Sequence, residues 1–513
     1  MKTLIGRLLS HTVLESLAIT AVLGGGHYAW AQPAQDLWKN NCSACHGGQG
    51  QGGEGVGTLL DDEWKFGSTP RAMFDAVKQQ HAGLGERAAP IAEMKDNQVW
   101  ATINHLHMLR AQDYRRNGGG AHANAGGLYE TQHTTYKVVD VVASGVEIPW
   151  SVEVIPAGSK SDLAGAMLIT EKAGRLRVFK DGVLSAAVDG IPEVSNEGQG
   201  GLLDIALHPR FDENGLVYLA YAEKINDDRN KVMTKIIRGR INKGQNGRWA
   251  WEDQRTIFQA RPENYVGPGV HYGCRIAFDP KDSSILFFTI GERGRAEMAQ
   301  DLTKPNGKVH RVRDDGAIPQ DNPFASQSGG VYKSIWSFGH RNPQGLVFDL
   351  DGNLWDTEHG PQGGDELNMV LKGRNYGWPI VTYGINYGGN PWNVPWPEFA
   401  NRKEASLSTS DPENGNQDAI TMPVHVWLPS IAACGLTCSN GGVFPEWKGD
   451  LFAGGLAGQT VERLRVKDGK VVEREEVLYN IGRVRDVVCG PDGTIYVVLN
   501  GPDKVIALQS PDK

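Results

Sequence analysis

The sequence predicts a multidomain chain, a small all-α domain followed by an all-β six-bladed β-propeller. Three observations lead there. A C-x-x-C-H motif lies near the N-terminus between stretches of helical pattern. A glycine-rich segment, 112–127, follows it. Beyond that, six copies of a strand–turn–strand unit fill the rest of the 513 residues.

Residues 1–31 have the three parts of an export signal. Lys2 and Arg7 make a basic start, Leu17–Leu23 (LAITAVL) is apolar, and Ala29-Trp30-Ala31 has the A-x-A form. A short lipid anchor is the competing reading, but the apolar stretch is too short to span a bilayer. The mature chain is expected to begin at Gln32, without a transmembrane anchor, in the periplasm or outside the cell. A net charge of −8 argues against an extended nucleic-acid surface.

The first domain is expected over 32–111. Cys42 and Cys45 can form thioethers to haem vinyl groups, with His46 as axial nitrogen ligand. A zinc half-site would need further ligands at finger-like spacing, and a thioredoxin-like redox pair needs no His and prefers a βαβ setting. Two amphipathic helices follow, within DDEWKFGSTPRAMFDAVKQQ and MKDNQVWATINHLHML. The segment resembles a class I cytochrome c, which implies haem c. That family usually supplies a sixth ligand from a Met just before a Pro. Here Ala89 precedes Pro90. Met94 is taken as the ligand, with His81 or no ligand as the alternatives.

The propeller is expected over 128–513. Its units open with WSVEVIPAG, LLDIALHPRF, RIAFDPKD, GLVFDLDGN, GGVFPEWKG and RDVVCGPDG, each followed by a second apolar strand. A sandwich or barrel would not explain six openings of one type. The first strand of each blade lines the channel, so residues just before it crowd one mouth. Those residues include Gln199, His271, Arg341, Asn342, Arg483 and Arg485. They suit a carboxylated ligand, unless carboxylates pair with the cations and close the channel. A second cluster, TEHGPQGGDELN, offers Glu358, Asp365 and Glu366 with the carbonyls of Gly360 and Pro361. Oxygen ligands suit Ca²⁺, and a braced turn is the alternative.

Five motifs, GQGGLLDIALHP, FGHRNPQGL, TEHGPQGGDELN, KGRNYGWP and GRVRDVVCGPDG, resemble the soluble aldose sugar dehydrogenases. These are six-bladed propellers that use pyrroloquinoline quinone (PQQ) and calcium. The resemblance implies that His271 is the general base and that Glu292 orients it, where the family usually has Asp. It places Gln199 near sugar and quinone, Arg341 and Asn342 on the quinone, and Arg483 and Arg485 on its carboxylates. Ser430 stands where a Thr contacts the cofactor. Gly360 and Pro361 stand as carbonyl ligands of the cofactor's Ca²⁺, and Glu366 and Tyr376 as ligands of a second, structural Ca²⁺. Val270 and Ala457 depart from glucose dehydrogenase, which has an acid and a Lys there.

The expected reaction is oxidation of an aldose to its lactone, with electrons leaving through haem c to a soluble cytochrome or a respiratory-chain component. Oxidation of another alcohol or a sorbosone-like aldehyde is the nearest alternative, and a non-catalytic ligand-binding propeller the next. Cys274, Cys434, Cys438 and Cys489 have buried thiols as their default, with a Cys434–Cys438 disulfide as the alternative after export.

Overall fold

The computed structural model describes residues 33–511, apart from 54–55, 62–63, 66, 68, 82–88, 227, 229, 245–246, 268, 393–403 and 406–418. The export signal expected over 1–31 lies outside the described residues. Among the described residues no helix is long and apolar enough to cross a membrane.

The N-terminal domain holds α1 (Ala34–Asn41), α2 (Ser43–His46), α3 (Pro70–Gln80), α4 (Ala89–Ala92) and α5 (Asp96–Arg116). Helix α3 starts where the sequence sets it to start. Thr69 accepts a hydrogen bond from Ala72 N at 3.2 Å, and Pro70 fills the first turn, where no amide is missed. Helix α5 runs to Arg116, five residues into the stretch the sequence reading gave to the linker. Leu37 and Trp38 of α1 and Val99, Trp100, Ile103 and Leu106 of α5 are buried.

One apolar cluster crosses from this domain into the propeller. Met73, Phe74, Met94, Val99 and Trp100 pack with Val381, Ile385 and Ile420. Trp100 stacks on Phe74 at 4.9 Å and meets Tyr383 edge-on at 5.4 Å. Burying Phe74 and Met94 contributes about 1.5–3 kcal/mol each. Met94 belongs to this cluster and is 5% exposed. Arg115 adds a two-pronged ion pair to Glu476, at 2.7 and 2.6 Å.

Six antiparallel sheets follow one another around an axis. Their innermost strands are Pro149–Val154, Leu202–Leu207, Ile276–Phe278, Pro343–Phe348, Ala433–Cys438 and Arg483–Cys489, for blades one to six. The last sheet is completed by strands Leu128–Glu130 and Thr135–Val142 from the start of the propeller, so the first and last segments of the domain close the ring.

The fifth blade corrects the sequence reading. Its innermost strand is Ala433–Cys438, and the expected opening at Gly441 falls in a turn and a short 3-10 helix, Pro445–Trp447. The strand ACGLTC carries little apolar pattern because Gly435 lies against the Asp486 backbone, where a Cβ would come within 2.6 Å. All six cysteines are free, which agrees with free thiols as the default and not with the alternative Cys434–Cys438 disulfide. Four residues along one strand place the two about 13 Å apart, beyond the reach of a disulfide.

The channel floor is a buried polar hub. Ser151 Oγ bonds Asp204 at 2.8 Å and Asp486 at 2.7 Å, and the Arg275 guanidinium reaches both carboxylates at 2.8 Å. Arg275 also donates to the Gln344 and Arg485 carbonyls. Blades one, two, three, four and six are thereby tied at one point.

Candidate active site at the channel mouth

At the mouth the geometry is built around His271. It sits just before the innermost strand of blade three at φ +51°, a conformation side chains rarely adopt. Three neighbours hold it there. Gln199 Oε1 accepts from its backbone N–H at 2.8 Å. Gly291 lies so close that a Cβ would stand 2.2 Å from the His271 carbonyl. Arg293, fully buried, donates to the Val270 carbonyl and lies 3.5 Å over the Tyr272 ring.

Glu292 Oε1 forms a short hydrogen bond with His271 Nδ1. A carboxylate accepts, so Nδ1 carries the hydrogen and Nε2 is left as the basic nitrogen. Burial, and then the charge of Arg341, hold His271 below its ordinary value, while Glu292 opposes them. The Glu292 amide bonds the Arg341 carbonyl at 2.8 Å, fixing base and cation relative to each other.

The cations divide into two sets. Arg275 is paired on the floor, as the channel-closing reading required. At the mouth, Arg341, Arg483 and Arg485 make no ion pair among the described residues, and the Nε atoms of Arg341 and Arg485 are buried without a partner. Burial pushes Arg485 down to about 10. Burial and the charges of Arg341, His271, Arg485 and Arg483 hold His359 well below its usual value, with Nε2 unpartnered. Lys172 from blade one, depressed by burial and by Arg485, lies near them and donates to the Asn196 carbonyl and side-chain oxygen at 2.9 and 2.7 Å. Neighbouring cations, with orphaned donors on Arg341 and Arg485, suit a ligand with several carboxylates.

Asn342 comes to the same place but spends its carboxamide oxygen on Gly273 N at 3.1 Å and Gln344 Nε2 at 3.3 Å. Ser430 Oγ bonds both oxygens of Asp365, at 2.9 and 2.8 Å. Its hydroxyl braces the neighbouring loop. Asp365 in turn accepts from Gly360 N at 3.0 Å. The Gly360 and Pro361 carbonyls accept no hydrogen bond among the described residues. Two free carbonyls beside the mouth fit a hard cation.

Behind that loop Glu358 and Glu366 pair across strands, and Asp356 and His340 join them. His340 Nδ1 is 3.3 Å from Asp356 and 3.2 Å from Glu358. Burial and the neighbouring Glu358 push Asp356 and Glu366 well above the usual carboxylate range. Converging buried carboxylates also fit a divalent cation. Tyr376 stacks on His340 at 4.5 Å, and its hydroxyl is engaged by the Met369 carbonyl and the Leu371 amide. The sequence reading missed His340, Asp356, His359, Arg293 and Lys172. Three of them stand beside residues already singled out: His340 before Arg341, His359 between Glu358 and Gly360, and Arg293 after Glu292.

In the N-terminal domain, Cys42 and Cys45 are free thiols at the junction of α1 and α2, with His46 next in line. Burial, then Cys45, pushes Cys42 up to about 12. Trp38 Nε1 caps the Gly47 carbonyl at 3.3 Å, and the rings of Trp38 and His81 flank His46. Two free thiols and an imidazole on one turn fit a covalently held haem.

Comparison with known proteins agrees with both halves. Residues 146–507 match the family Glucose / Sorbosone dehydrogenase, and 29–106 match Cytochrome C oxidase, cbb3-type, subunit III. Aldose sugar dehydrogenase YliI of Escherichia coli K12 is 39% identical over 363 residues, covering 70% of this chain and 89% of that protein. Quinoprotein glucose dehydrogenase B of Acinetobacter calcoaceticus is 27% identical over 394 residues, covering 64% and 80%. The crystal structure of the soluble aldose sugar dehydrogenase from Escherichia coli in its apo form superposes with a TM-score of 0.61 at 35% identity, covering 73% of this chain and 99% of that one. The chain belongs to the glucose/sorbosone dehydrogenase family, with a cytochrome c domain ahead of an aldose sugar dehydrogenase-like propeller.

Proposed function

We propose that the protein is an exported quinohaemoprotein that oxidises aldose sugars to lactones with PQQ and Ca²⁺ and passes the electrons through haem c to an external acceptor. The observation that carries the reading is the His271–Glu292 pair facing unpaired Arg341 and Arg485. The chain's similarity to an aldose sugar dehydrogenase and to a quinoprotein glucose dehydrogenase supports it.

When bound, PQQ supplies a two-electron hydride acceptor, calcium polarises its carbonyl, and haem accepts electrons singly. The chain supplies the rest. His271 Nε2 takes the proton of the anomeric hydroxyl, since its Nδ1–H is committed to Glu292. Arg341, 6% exposed and held through its amide by Glu358 at 2.6 Å, presents a fixed positive charge where negative charge develops. Arg483, Arg485 and Lys172 would hold carboxylates, and the Gly360 and Pro361 carbonyls would hold the calcium. Gln199 fixes the base from the substrate side.

Dye-linked aldose oxidation after adding PQQ and Ca²⁺ tests this. No turnover by the wild type, or full turnover by His271→Ala, overturns it. A substrate panel of aldoses, simple alcohols and sorbosone-like aldehydes separates the alternatives.

A further inference from the structure

We propose that His81 is the second axial ligand of the haem iron, opposite His46. The inference rests on reading Cys42, Cys45 and His46 as a haem site.

Among the described residues, the rings in contact with His46 are those of Trp38 and His81. The His46 and His81 centroids are 6.2 Å apart, with planes at 63°. A metal–imidazole bond of about 2 Å puts each centroid about 3 Å from the metal, so imidazoles on opposite faces lie about 6 Å apart. The observed spacing leaves room for one iron between the two rings. It also falls within the range of an edge-to-face ring contact, so the two rings are already neighbours in the folded chain.

The tautomer agrees. His81 Nδ1 lies 3.4 Å from the Ala76 carbonyl, one turn back on α3. A carbonyl accepts, so Nδ1 carries the hydrogen and Nε2 keeps the free lone pair. Metal-bound histidines generally show this arrangement. His81 caps the C-terminus of α3, whose start is fixed by Thr69 and Pro70, so its backbone is held at the end of a formed helix.

The sulfur competitor is accounted for elsewhere. Met94 packs between Trp100 and the propeller, and its carbonyl accepts from Lys78 Nζ at 3.2 Å. Ala89 stands before Pro90, where a ligand Met would be expected. His105 faces Trp38 at 6.1 Å and does not touch the His46 ring. Replacing thioether by imidazole lowers the potential of a haem, because the thioether favours the reduced iron. The outlet would then be a weaker oxidant than a His/Met cytochrome.

The test uses the full chain carrying its haem. A pyridine haemochrome spectrum of the denatured wild type first checks covalent attachment. Its absence overturns the haem reading and this inference with it. With haem present, the oxidised protein should be low-spin and lack the weak far-red band of a Met–iron bond. Met94→Leu should leave that spectrum unchanged. His81→Ala should become high-spin and return to low-spin when imidazole is added, and His81→Met should gain the far-red band with a raised midpoint potential. A far-red band in the wild type that vanishes in Met94→Leu overturns the proposal, as does an unchanged spectrum in His81→Ala. Should His81→Ala fail to accumulate, the wild type and Met94→Leu decide by themselves.

Discussion

Asn104 of helix α5 reaches across the domain boundary to Gly363 of the propeller. Its carboxamide nitrogen donates to the Tyr383 carbonyl at 2.7 Å, and its oxygen lies 2.3 Å from where a Gly363 Cβ would stand. Gly363 follows directly on the Gly360–Pro361 turn and has φ +82°. The cytochrome domain therefore rests on the loop whose free carbonyls face the mouth.

Gly363→Ala should disturb that contact, from both the close approach and the positive φ. Sugar oxidation measured with a small dye should change little, while reduction of the haem by sugar should slow. Stopped-flow absorbance at the haem bands makes the comparison. Equal slowing of both reactions would show that the loop matters to the site alone.

The His271 pair predicts a pH profile. His271 is held below its ordinary value, so it is neutral at pH 7 and kcat/KM should be flat there. The rate should fall only as pH drops through the lowered value, because the protonated imidazole cannot accept a proton. Glu292→Gln removes the charge that opposes the depression, so the acid limb should move to still lower pH while kcat falls. His271→Ala should cost about 10²–10⁴ in kcat. An acid limb that moves upward in Glu292→Gln would contradict this assignment.

The division between what was legible and what was not follows physical lines. Five of six blades announced themselves because an apolar strand running into a Gly, Pro or Asp turn is a local pattern. The fifth did not, since Ala433–Cys438 is shaped by neighbours such as Asp486. His271 and Arg341 were legible from their place before inner strands, whereas Arg483 and Arg485, expected before one, lie within its first three residues. Asp356 was not legible, since only the pairing of neighbouring strands sets it against His340, and Lys172 was not, since blade one meets Arg485 of blade six only when the ring closes. Met94 fits the ligand pattern locally, near Pro90, while its packing against the propeller could not be read from the sequence because Val381, Ile385 and Ile420 lie far along the chain.

The carboxylates of Asp356, Glu358 and Glu366 repel one another in a buried site, and a divalent cation would relieve that repulsion. Calcium should therefore raise the melting temperature by several degrees, and a chelator should reverse it. Binding at a hundredfold excess over Kd stabilises by about 2.7 kcal/mol. Asp356→Asn should melt at a temperature less sensitive to calcium. An unchanged calcium response would place the ion elsewhere.

The two sets of arginines predict opposite effects on stability. Arg275 balances Asp204 and Asp486 in the hub, at 2.8 Å from each. Arg275→Met leaves two buried carboxylates uncompensated and should lower unfolding free energy by about 3–5 kcal/mol. Arg485 is a cation without a carboxylate partner, and burial has already depressed it to about 10. Arg485→Met removes a charge whose desolvation outweighs the opposing pull of Cys434 and Asp486, so the cofactor-free protein should become no less stable, while its affinity for PQQ falls sharply. Denaturant unfolding of the three proteins without cofactor, paired with PQQ titration by activity, checks both halves. Equal losses of stability in the two variants would mean that Arg485 has a structural partner and is not held in readiness for a carboxylate.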